Sequence, residues 1–196
     1  MTRKIVLVLF IWAATATAIS LSRILVSTPG PALQIIIFSL LALLVVAAAI
    51  SKDVRAWTLS LNLRRLTIFH VWRIIPGTAF LILHSQGRLP WAFAVPGGYG
   101  DIAIGVTAPF AALLAAPTSS GRRITLAIWN ILGLLDLANA VATAARLTMQ
   151  QPGSMDLLRQ FPMSLLPLFL VPITLMAHLI ALAQLWVKHR TPETPI

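Results

Sequence analysis

The sequence contains no cysteine. That absence excludes disulfides, thiolate metal sites and a cysteine nucleophile, although it assigns no compartment. Acidic residues are nearly as scarce, with 5 Asp and Glu against 15 Lys and Arg in 196 residues. Charged residues of both signs make up 10% of the chain while 58% is hydrophobic, and the mean hydropathy is +0.89. So little charge cannot keep the outside of a soluble core wet, and lipid is the expected solvent. Catalytic signatures are missing too: there is no G-x-S-x-G elbow, H-E-x-x-H pair or Walker A loop, and Ser20, Ser22, Ser27 and Ser154 have no evident base. An enzyme is therefore not the expected class.

The net charge of +10 could suit nucleic acid. The basic residues, however, are scattered between apolar runs and form no stripe interleaved with aromatics, so they read as topology signals. A helix needs roughly 20 apolar residues to cross the hydrocarbon. That rule predicts an all-α polytopic bundle of six spans in one domain: residues 5–22, 32–50, 65–84, 91–116, 124–147 and 162–187. Arg3, Lys4, Lys52, Arg55, Arg64, Arg65, Arg122, Arg123, Lys188 and Arg190 fall on one side, against Arg23, Arg88, Arg146 and Arg159 on the other. The positive-inside rule then places both termini in the cytoplasm. A competing reading treats the first span as a signal peptide cut near Ala14-Thr15-Ala16-Thr17-Ala18, but its apolar run is long for one.

Gly98-Tyr99-Gly100-Asp101 matches the end of a potassium filter. A filter needs a pore helix ahead of it and a row of carbonyls on one axis, and here Pro96 and Gly97 occupy the positions of the Thr and Val. A helix break is the preferred reading. Pro96 lacks an N–H, and Gly97, Gly98 and Gly100 permit positive φ, so the fourth span is expected to be broken near its start, with Asp101 as an N-cap.

Polar residues inside the spans carry most of the information. Arg73 lies about nine residues and Asp136 about twelve residues beyond the inner ends of their spans, which at about 1.5 Å per residue puts both near the bilayer middle. A lone charge there costs roughly 2.5 to 3.5 kcal/mol, so Arg73 is expected to pair with Asp136 or Asp101. His178, Asn130 and Asn139 are the expected hydrogen-bond partners. Such a network either holds the helices in register or forms a protonatable site.

Three function classes follow. The preferred one is a proton- or ion-coupled transporter or permease using this Arg/Asp/His centre on an unknown small molecule or ion. The second is a structural or accessory membrane subunit, working with a protein partner or with a second copy of the chain. The third is a b-type haem protein with His70 and His178 as axial ligands; otherwise no cofactor or metal is expected.

The combination of Arg73-x3-Gly77-x2-Phe80-Leu81, Gly87-Arg88-Leu89-Pro90, Pro96-Gly97 with Gly100-Asp101, Trp129-Asn130 with Asp136-Leu137, and Phe169-Leu170-Val171-Pro172 with His178 resembles a group of uncharacterised bacterial multi-pass membrane proteins. The resemblance covers about the last two thirds of the chain. It implies a bacterial membrane protein and transfers no functional residues.

Overall fold

A chain this apolar has to satisfy its backbone internally, and the helix does so segment by segment. The computed structural model describes residues 2–28, 32–115 and 119–190, and those residues are almost wholly helical. Helix α1 (Thr2–Leu21) and α2 (Ala32–Ile50) are long apolar rods. A short polar helix, α3 (Lys52–Ser60), follows; the Ser51 side chain accepts from the Val54 N–H and closes its first turn. Asn62 caps α4 (Leu63–Phe69) in the same way through the Arg65 N–H. The chain then tightens into a 3-10 turn, His70–Arg73, before α5 (Ile74–Ser85). Helices α6 (Trp91–Ala112) and α7 (Ser120–Gln150) come next. A π turn, Leu166–Leu170, leads into α8 (Val171–Arg190).

Five of these stretches are long and apolar enough to cross a membrane: Arg3–Leu21, Ala32–Ile50, Leu63–Ser85, Ser120–Gln150 and Leu166–Val187. Helix α6, with 22 residues, matches them in length but has no equally long stretch of high hydropathy, because Pro96 to Asp101 interrupts its apolar run. The expected segments thus recur as helices with shifted ends. Ala116, the last residue of the expected fourth span, lies outside the described residues.

The expected break in the fourth span is not there. Helix α6 runs unbroken through Pro96, Gly97, Gly98 and Gly100, and Asp101 sits in its middle rather than at its N-cap. The reason is close packing against α5. A Cβ on Gly77 would lie 2.7 Å from the Gly98 carbonyl oxygen, and one on Gly98 would lie 2.8 Å from Leu81. A Cβ on Gly105 would come within 2.6 Å of the Ile74 side chain. These glycines let two helix backbones touch, as small residues do between membrane helices, and that packing offsets the single helical bond that Pro96 cannot make.

Helix α1 docks on the far end of the chain. Pro172 has no N–H to offer the Leu168 carbonyl four residues back, and Trp12 Nε1 donates to that carbonyl instead at 3.0 Å. The Trp12 and Phe169 rings meet edge to face at 5.1 Å, and Ser20 and Ser164 hydrogen-bond in a buried contact. One apolar cluster holds Phe80, Phe93, Ala144 and Leu166 at this end, and a second holds Leu63, Ala111, Leu126 and Leu185 at the other. Arg73, Asp101 and Asp136 lie between the two along α4–α5, α6 and α7.

Candidate functional site

Arg73 ends the 3-10 turn, three residues before Pro76. Its side chain is 0% exposed, so every guanidinium N–H has to find a partner within the protein. Nε donates to Asp101 Oδ1 on α6 at 2.6 Å. Nη2 donates to Asp136 Oδ2 on α7. Nη1 donates to the Gly133 carbonyl at 3.3 Å and faces His178 Nε2 at 3.5 Å. One planar fork therefore ties α5, α6, α7 and α8 together, which a lysine's point charge could not do.

Helix α7 presents its side of the site from successive turns, since residues three apart are neighbours on a helix surface. Asn130 orients His178, Gly133 supplies a carbonyl and Asp136 supplies a carboxylate. Asn130 Nδ2 donates to the Leu126 carbonyl at 2.9 Å, which leaves Asn130 Oδ1 to accept from His178 Nδ1 at 3.0 Å. That assignment puts the imidazole proton on Nδ1 and leaves Nε2 as an acceptor toward Arg73. The glycines make room: a Cβ on Gly133 would collide with the His178 ring, and one on Gly100 with the Asp136 carboxylate.

Below the guanidinium, the His70 and His178 rings stack with centroids 3.8 Å apart and planes 21° from parallel. Trp129 meets the His70 edge at 5.5 Å and donates its Nε1–H to Thr107 at 2.9 Å. His70 Nδ1 is buried with no hydrogen-bond partner. Rings in face-to-face contact leave no space for a porphyrin between them in this arrangement. Among the described residues no group of three or more His, Asp or Glu could hold a metal ion.

The structure brings Arg73, Asp101, Asn130, Asp136 and His178 into one contact network. It leaves out Asn139, which is exposed. Nine residues at about 100° each put Asn139 on the opposite face of α7 from Asn130. Sequence reasoning missed His70 as part of the stack, and it missed Gly100 and Gly133 as the gaps through which Asp136 and His178 reach the arginine. Gly133, three places from both Asn130 and Asp136 on α7, was the available signal.

Charge does not balance inside this centre. One guanidinium faces two carboxyl groups, and among the described residues no other cationic side chain touches them, so one negative charge is left for a proton or a cation to match. The Asp101 side chain also borders a cavity of about 60 Å³, partly open at its edge and lined mainly by apolar side chains, including Leu33, Phe80, Phe93 and Val141. The histidine stack lies toward the opposite end of the bundle, on the α4 side of Arg73.

These features define an all-helical protein, rich in apolar helices of membrane-spanning length, built around a buried ionic centre. No curated protein and no solved structure matches the chain. A model for a domain of unknown function, DUF8737, matches residues 30–186, and the chain belongs to that family. The matched region holds every residue of the ionic centre; α1 lies before it.

Proposed function

We propose that the chain is a six-span transporter or permease of a bacterial inner membrane, with both termini in the cytoplasm, coupled to protons or another cation at the Arg73–Asp101–Asp136 centre. Helix α6 is the sixth span: 22 residues at about 1.5 Å each exceed the roughly 30 Å of hydrocarbon. Its one charge, Asp101, does not stand alone but shares Arg73 with Asp136. The observation that carries the reading is the surplus carboxylate at mid-depth beside a cavity. A purely structural clamp needs one acid for one base, whereas a second acid on the same guanidinium creates a place where a cation binds and leaves. Ionisable groups facing the interior of a helical bundle are characteristic of ion and proton pathways.

Orientation follows from the basic residues. The α3–α4 corner, with Lys52, Arg55, Arg64 and Arg65, faces the cytoplasm, so the cavity lies in the outer half and the histidine stack in the inner half. A centre accessible from one side at a time is what alternating access requires.

The test is a rapid pH jump on proteoliposomes adsorbed to a solid-supported electrode. Proton binding at mid-depth moves charge through the membrane field, so a transient current is expected above that of empty liposomes, and it should vanish in Asp136→Asn. No protein-dependent transient, or one that survives in both Asp136→Asn and Asp101→Asn, overturns the proposal.

A further inference from the structure

We infer that the cavity beside Asp101 is a binding site for a narrow, unbranched alkyl chain ending in a protonated amine, whose head sits between Asp101 and Gln34; the inference names a substrate class and rests on the transport reading above. Three observations converge on it.

The first is an inventory of unused polar atoms. Asp101 commits Oδ1 to Arg73, and Oδ2 makes no hydrogen bond among the described residues. Gln34 Oε1 and Trp72 Nε1 are both buried without partners. All three residues line the same cavity. A buried polar atom left unpaired costs about 1 to 3 kcal/mol, and here the residues that carry the unpaired atoms all line one cavity. Two of the three atoms are acceptors, so the missing group is mainly a donor. An ammonium head with three N–H groups serves both acceptors, and a water or a hydroxyl on the ligand serves the indole N–H.

Charge is the second observation. The centre holds two carboxylates against one guanidinium, and a cationic head restores neutrality where an alcohol or a carboxylate does not. Trp72, Phe80 and Phe93 add aromatic faces along the wall, which favour a cation over an anion.

Size and lining are the third. The remaining walls are aliphatic, so the body of the ligand is apolar. At about 60 Å³ the cavity is smaller than the ~150 Å³ apolar cavities that take a benzene ring. That volume takes an amine and its first few methylenes rather than a ring, and the rest of an unbranched chain passes out through the cavity's open edge.

The experiment is isothermal titration of the full chain in detergent with n-hexylamine, using 1-hexanol and hexyltrimethylammonium as references and empty micelles as the blank. Hexylamine is expected to bind saturably, and each reference at least tenfold more weakly, because hexanol lacks the charge and the quaternary ion lacks the N–H donors. Asp101→Asn should abolish binding. Gln34→Leu, which alters no contact of Arg73, should weaken it about tenfold, as loss of one charge-assisted hydrogen bond does; where Asp101→Asn does not fold, this variant decides. Equal binding of all three probes, or affinity unchanged in Gln34→Leu, overturns the assignment, as does a cavity filled by a copurified lipid chain that hexylamine does not displace. Binding without a pH-jump current would keep the amine site and remove transport. The current without binding would keep transport and remove the amine.

Discussion

The backbone of α6 at Gly100 passes so close to the Asp136 carboxylate of α7 that even a methyl group has no room between them. The acid that completes the Arg73 clamp is therefore held in place by a missing side chain on the neighbouring helix. Gly100 is half of a lock, and Asp136 is the other half.

Gly100→Ala should push Asp136 away from Arg73 and destabilise the protein by about 1 to 3 kcal/mol, the usual cost of overpacking. Gly121→Ala is the control, since nothing lies within 4 Å of a Cβ placed there; it should be neutral or stabilising by up to about 1 kcal/mol. Thermal unfolding of the two variants in one detergent compares them. Equal melting temperatures would mean that α6 and α7 are not packed this closely.

Arg73→Leu leaves the buried Asp101 and the half-buried Asp136 without their cation, and breaking a buried ion pair from one side costs about 3 to 5 kcal/mol. The triple variant Arg73→Leu, Asp101→Asn, Asp136→Asn removes all the charge and should recover most of that loss, while the pH-jump current stays absent. Chemical denaturation of both variants gives the comparison. A triple variant no more stable than the single one would show that the clamp organises the bundle by more than its charges.

The two asparagines of α7 make a matched pair. Asn130→Ala removes the partner of His178 Nδ1 and should cost about 1 kcal/mol or more. Asn139→Ala, on the exposed face, should stay within about 0.5 kcal/mol of the parent. The ring proton of His178, followed by NMR in the same variants, should shift in the first and not in the second.

Trp12 and Pro172 are coupled through one carbonyl. Trp12→Phe removes the donor to Leu168 at a cost of about 1 to 3 kcal/mol. Pro172→Ala supplies an N–H at the position from which a helix would serve that carbonyl, so Trp12→Phe should cost less in the Pro172→Ala background. A double-mutant cycle measures the difference, and strict additivity would mean that the carbonyl does not depend on Trp12.

Hydropathy and charge, summed along the chain, were enough to settle that it forms long apolar helices and that Arg73 needs acidic partners at the same depth; both follow from the cost of leaving a charge or a backbone amide in oil. Which acids, and which faces, were decided by the tertiary structure. On helices apolar all round, periodicity does not reveal rotation about the axis, so Asn139 could be grouped with Asn130 although half a turn separates them. Pro96 and the glycines beside it read locally as a break. Packing against α5 turned them into a continuous helix, because the close approach of two backbones outweighs the one hydrogen bond that proline removes. The stack of His70 on His178, 108 positions apart in the chain, has no local signal at all: it exists only because four helices converge on one guanidinium.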